Sequence, residues 1–177
     1  MLKKIALYIF DIIDHYYHQQ RIINFILRKN FSINYFIDVG SHLGTYSDLI
    51  LKYFKKSKII MIEPQKEILK KIKLKYKNNK KILILNHAIS DKNVNKNLYI
   101  NYHDLTSSLT KFNYNNNYLK IKSKIFNTTP HGMIKEKLII KTIKMSTLLS
   151  KENITNVDLI KIDTEGHELE VLKGMGD

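Results

Sequence analysis

Phe36-Ile37-Asp38-Val39-Gly40-Ser41-His42-Leu43-Gly44-Thr45-Tyr46-Ser47 is an apolar run that ends in an acid and a glycine, turns through a tight loop and meets a second glycine where a helix opens. One strand–helix–strand unit downstream, Ile59-Ile60-Met61-Ile62 ends in Glu63 and Pro64. A parallel sheet holds a nucleotide-like ligand with these parts. Glycine at the first strand exit lets the backbone approach the ligand, and an acid at the second strand end receives the ribose hydroxyls. Gly40 supplies the turn and the close approach, and Gly44 lets the helix start beside it.

The glycines stand at a four-residue step, which is not G-x-G-x-x-G, and His42 lies between them. One backbone approach is lost there, so a pyrophosphate fits poorly. A donor without phosphates fits better, and S-adenosylmethionine is the candidate cofactor. The cofactor-binding candidates here are Asp38, Gly40, Ser41, His42 and Gly44, with Glu63 and Pro64 at the second strand end. Asp38 is expected to face the ammonium of the methionine end, directly or through water. The simpler reading makes the glycines packing residues, Glu63 a helix N-terminal acid and Pro64 the first helical residue.

The same alternation continues on both sides. Apolar strands are predicted over 35–39, 58–63 and 81–86, with helices over 44–54 and 65–76 between them. Strands separated by helices of this length make βαβ units and a parallel sheet, so the fold class is α/β and Rossmann-like, with helices on both faces. Ile82-Leu83-Ile84-Leu85 has no polar break, which predicts burial on both faces. The third strand leads into Ala88 and Ile89, small and apolar groups against which an adenine would rest.

Beyond Ser90 the pattern loosens. A strand is expected near 97–102, followed by a polar, irregular insert over 103–135 that holds Asn113-Tyr114-Asn115-Asn116-Asn117. Inserts of this length are functional or mobile. Strands return at 138–143 and 157–163, and a helix begins at 165 and stops at Gly174. The domain is read as 31–177, and a sheet of this kind is expected to carry more strands past that helix. The sequence therefore reads as C-terminally truncated.

Residues 1–30 read as an N-terminal amphipathic helix. Leu2, Ile5, Ile9, Ile12, Tyr16, Ile23 and Leu27 share one stripe, broken at 19–20. It packs on the domain edge, or it rests on a membrane surface or a partner. Asp11 and Asp14 interrupt the first apolar stretch, so no export signal is read and a cytoplasmic location is expected. With no cysteine, disulfides and thiolate metal sites are excluded. The net charge of +14 comes almost wholly from Lys spread along the chain, with Arg only at 21 and 28. That is a solvated basic surface rather than a base-reading one.

Lys161-Ile162-Asp163-Thr164-Glu165-Gly166-His167-Glu168 closes the fourth core strand. It brings carboxylates and an imidazole to the sheet edge that holds the other motifs, which is more than helix capping requires. Asp163, Glu165 and His167 are the catalytic candidates. Asp163 faces the donor, and Glu165 or His167 orients or deprotonates an acceptor hydroxyl. The ligand set is incomplete for a divalent metal.

Ile37-Asp38-Val39-Gly40…Gly44-x-Tyr46-Ser47, Glu63-Pro64, Ala88-Ile89-Ser90-Asp91, Ser107-Ser108-Leu109 and the 161–168 motif with Val171-Leu172-x-Gly174 occur in one order and spacing. Together they resemble the FkbM family of S-adenosylmethionine-dependent methyltransferases, from about residue 35 to the end. His42 stands where that family often has Asn. The resemblance implies a class I methyltransferase fold and methyl transfer, most often to a hydroxyl of a sugar or natural product. It implies that Asp38, Gly40 and Gly44 line the donor site, that Glu63 holds the ribose, and that Ser107 and Ser108 lie near the donor or acceptor. The acceptor is expected to be a saccharide or another small molecule. A nucleic-acid methyltransferase, with Tyr114, Tyr118 and Phe126 stacking bases, and a non-catalytic binding module are the alternatives.

Overall fold

The computed structural model describes residues 14–101, 107–111, 113–115, 117–125 and 127–176. A π-helical turn, Asp14–Gln19, runs into helix α1, Gln20–Arg28. The βαβ series follows as β1 (Tyr35–Val39), α2 (Thr45–Tyr53), β2 (Lys58–Ile62), α3 (Lys66–Lys75) and β3 (Ile82–Leu85). Then come β4 (Ala88–Ile89), β5 (Asn95–Asn101), α4 (Asn117–Ile125), β6 (Ile134–Ile143), α5 (Met145–Lys151), β7 (Leu159–Ile162) and α6 (Glu168–Lys173).

β1, β2, β3 and β7 form a parallel sheet in the order β3-β2-β1-β7. This is a Rossmann-like α/β arrangement. The chain leaves β1 toward β2 and β3, then returns to the other side of β1 as β7. The crevice at that reversal is where such sheets bind ligands. Register decides what meets there. Val39 lies opposite Ile62 on one side and Ile162 on the other, so Gly40, Glu63 and Asp163 emerge together. The amides of Gly40 and Ser41 donate to the Ile62 carbonyl at 3.0 and 3.1 Å, and that of Asp163 to Val39 at 3.1 Å.

Strand alternation sorts two cores. Phe36, Ile59 and Met61 face α1, α2 and α3, where Ile23, Leu49, Ile50, Ile68 and Ile72 close over them. Ile37, Val39, Ile60 and Ile62 face the other way, toward Met145 and Leu148 of α5 and Val171 of α6. Burying a side chain of this size contributes roughly 1.5–3 kcal/mol, so the two layers hold the strand ends in place.

Four expectations change. β3 is an edge strand with Leu83 41% exposed, so its unbroken apolar run does not mean burial on both faces. Ala88 and Ile89 form a short strand that pairs in parallel with Thr142 and Ile143, which joins a second sheet of order β4-β6-β5. The segment read as irregular contains α4, and β6 begins within it at Ile134. The predicted N-terminal helix starts, among the described residues, as a π-helical turn, and its stripe residues Leu2 to Ile12 lie outside them. Among the described residues β7 pairs with β1 alone, and no helix is long and apolar enough to cross a membrane.

Candidate functional site

The loop after β1 places Gly40, His42 and Gly44 in left-handed conformations, with φ of +69°, +43° and +78°. Alternate left-handed residues coil the backbone tightly, so that the Gly40 and Ser41 amides donate to Ile62 while the His42 amide turns to Glu63. At Gly40 the glycine is obligatory for a second reason. A Cβ there would overlap the Asp163 carbonyl oxygen, so the loop lies directly on the end of β7. Gly44 serves the fold rather than the cavity. A Cβ there would crowd Tyr76 and Met61, and its carbonyl accepts from the Tyr76 hydroxyl at 3.0 Å.

Glu63 is buried to 3% exposure. Its Oε2 accepts the His42 amide at 3.0 Å and its Oε1 the Gln65 amide at 2.9 Å. Burial pushes its carboxyl up to about 7, against the pull of those two amides. Each oxygen keeps further lone-pair capacity. His42 thus contributes through its backbone: its N–H orients the carboxylate.

Gly40, Ser41, His42, Glu63 and Pro64 line one cavity, and its far walls are Ala88, Ile89, Asp163 and Glu165. Ser41 Oγ is buried on that wall and has no hydrogen-bond partner among the described residues. A buried hydroxyl of this kind calls for a polar ligand group. The donor set therefore fits an adenosyl donor: a carboxylate for the ribose, apolar groups beyond it, and a free hydroxyl on the glycine loop.

Asp38 does not reach the cavity. It is fully buried, and its Oδ2 accepts from Ser47 Oγ at 2.8 Å. Its Oδ1 stands 3.1 Å from Lys161 Nζ, at an angle that makes an ion pair rather than a directed hydrogen bond. Lys161 also donates to the Gly40 carbonyl at 2.8 Å and lies 3.6 Å from Asp163 Oδ2. Its ammonium ties the glycine loop to the end of β7, and it lines the cavity. The expected pairing of Asp38 with a ligand ammonium is corrected accordingly, because a protein cation already occupies that carboxylate.

Asp163 and Glu165 are exposed at the cavity mouth. Glu165 and Gly166 take positive φ, 53° and 90°. Glu168 holds this strained turn, accepting the amides of Thr164 at 2.8 Å and Gly166 at 3.0 Å. Burial raises the Glu168 carboxyl, but these amide donors outweigh it and leave it below the usual range. Ser108 Oγ donates to the Thr164 carbonyl at 3.2 Å, and both Ser107 and Ser108 line the cavity.

His167 is not brought to the cavity. It is buried, with Nε2 2.9 Å from Ser90 Oγ and Nδ1 3.2 Å from Thr110 Oγ1. Ser90 in turn receives Lys96 Nζ at 2.7 Å. Burial, followed by Lys96, pulls the imidazole below its ordinary value and so favours its neutral form. With both ring nitrogens engaged inside the protein, its expected place beside the reacting atoms is replaced by a structural one. It ties the β7 loop to the exit of β4.

Lys161 and Gln19 also line the cavity, and the expectations gave neither a role there. Lys161 sits mid-strand in an apolar run, and its value comes from its register opposite Asp38. Gln19 is buried, lines the cavity and donates to Thr45 Oγ1 at 3.2 Å. Its signal was present as the break in the helix stripe. Of the aromatics in the insert, Tyr114 stacks on His131 at 3.8 Å between centroids. The side chains of Tyr118 and Phe126 lie outside those described.

No curated protein matches the chain. The profile of the methyltransferase FkbM domain matches residues 38–177, from the acid that closes β1 through the loop after β7 and beyond. A match over that share of the sequence, on a parallel sheet whose strand ends build one ligand cavity, places the chain in the FkbM methyltransferase family.

Proposed function

We propose that the chain transfers a methyl group from S-adenosylmethionine to a hydroxyl of a sugar or another small acceptor. The observation that carries this reading is Glu63: a buried carboxylate at the end of β2, pre-aligned by two amides, with lone pairs left for a vicinal diol. When bound, the donor supplies an already activated methyl group, so positioning is the protein's main contribution.

In this reading Glu63 holds the ribose, Ala88 and Ile89 flank the adenine, and Ser41 meets a polar group of the methionine end. Lys161 holds the Gly40 carbonyl and stands beside Asp163, which fixes the wall against which the methionine end rests. Glu165, on the strained turn at the mouth, receives the acceptor's proton. The acceptor lies between that turn and the Ser107–Ser108 segment. A cytoplasmic site of action belongs to the same reading, since the donor is made there.

Titrating the chain with S-adenosylmethionine in a calorimeter tests it, with Glu63→Ala as control. Saturable binding that is lost in the variant is expected. A folded chain that shows no binding would make it a non-catalytic member of its family. Glu165→Gln is then expected to lower turnover on a sugar acceptor while leaving donor affinity unchanged. Equal loss of both would remove Glu165 as the base.

A further inference from the structure

Helix α1 buries one apolar face and leaves two large apolar residues exposed among cations on another. Ile23 and Ile26 pack into the core at 1% and 7% exposure, while their neighbours Ile22 and Phe25 are 47% and 57% exposed. Tyr17 before the helix and Phe31 after it are each 59% exposed. Helical spacing puts 22 and 25 on one stripe, turned about 100° from the buried one. Isolated exposed apolar residues need no account, but four large ones within fifteen residues of a single segment do.

The charge within this segment has one sign. Arg21, Arg28 and Lys29 are exposed beside it, and no Asp or Glu occurs from residue 15 to residue 37. The only two arginines of the chain are both here. A guanidinium engages two phosphate oxygens at once, whereas an ammonium meets them as a point charge. Arg21 lies 5.4 Å from the Tyr17 ring and Lys29 5.9 Å from the Phe25 ring, so the cations border the apolar groups directly. Apolar side chains bordered by cations are what the headgroup boundary of an acidic bilayer accepts.

We infer that the exposed face of α1 docks on an anionic phospholipid surface, with Ile22 and Phe25 entering the acyl boundary and Arg21, Arg28 and Lys29 on the phosphates. A second copy of the chain fits worse. A two-fold interface would set these cations against their own counterparts with no acid in the segment to offset them. The inference goes beyond the methyl-transfer reading and does not need it. If both hold, the surface-bound helix directly follows the turn that carries Gln19 into the donor cavity.

The chain has no tryptophan, so a single one reports its own position. Phe25→Trp places the reporter on this face. Leu74→Trp places it on α3, where Leu74 is 68% exposed. With vesicles of phosphatidylglycerol and phosphatidylcholine, the residue-25 reporter is expected to shift to shorter wavelength and to be quenched by brominated acyl chains. The residue-74 reporter is expected to stay unchanged, and phosphatidylcholine alone to leave both unchanged. Adding Ile22→Ser to Phe25→Trp should weaken partitioning about tenfold, with the thermal midpoint unmoved. No shift at residue 25 overturns the proposal. So does an equal shift at both reporters, which would mean the scattered lysines bind without a preferred face. A shift at residue 25 that grows with protein concentration, or on adding single-stranded RNA, in the absence of lipid would assign the face to a second copy or to nucleic acid instead.

Discussion

Glu63 holds two amide hydrogens where little water reaches it, and that single placement links binding, protonation and stability. Its folded value of about 7 lies above the ordinary 4.5. Between those values the folded chain keeps a proton that the unfolded chain has released. Its favourable contribution is therefore complete below about 4.5 and is lost as pH rises through 7. Relative to Glu63→Gln, the parent should lose roughly 3 kcal/mol of stability across that window; parallel pH profiles from denaturant titration would refute it. Ribose hydroxyls favour the ionised carboxylate, so donor binding near pH 6 should release a proton. Calorimetric heats should then differ between buffers of different ionisation enthalpy, and identical heats would remove the ribose assignment. Lys161 answers to a different physics. Lys161→Met strands the Asp38 charge in the interior and should cost about 3 kcal/mol. Adding Asp38→Asn should recover part of that loss, whereas simple additivity would mean the two do not interact.

The strand ends matter because β1 and β7 touch through the backbone at Gly40. Gly166 is also left-handed, yet a Cβ there meets nothing within 4 Å. Gly166→Ala should therefore cost only the backbone strain, about 1 kcal/mol. Gly40→Ala carries the same strain plus an overlap with β7, and should cost at least about 3 kcal/mol and abolish donor binding. Equal losses by chemical denaturation would show that the loop is not pressed on β7. The strands that build this contact were legible because each is an apolar run closed by an acid or glycine. β4 and α5 were not. A two-residue strand has no periodicity, and a helix of one or two turns has too few buried positions to display one. The length of the polar segment after β5 hid α4 in the same way, because its Asn-rich start reads as a turn.

Over the whole molecule the charge of +14 acts as self-repulsion that packing must overcome. Raising salt from a few millimolar to about 0.2 M shortens the screening length below ~10 Å. The thermal midpoint should rise by about 3 °C, equivalent to ~1 kcal/mol of relieved repulsion. A flat response would mean that the net charge takes no measurable toll on stability. Alternating strands and helices, the glycine turn and the acid at the second strand end could be read from the chain because they are local. They depend on side-chain period and on which dihedrals a residue tolerates, both carried by neighbours in sequence. The partners of these groups could not be read. Asp38 became half of an ion pair because β7 happens to lie beside β1 in a register that sets Lys161 opposite it. His167 became an internal tie because Ser90 and Thr110, far away in sequence, close on both its nitrogens. Gln19 reached the cavity because the turn before α1 meets the start of α2, where Gln19 donates to Thr45. Those outcomes rest on strand order, register and packing between distant segments, and a residue's type does not encode who its neighbours across the fold will be.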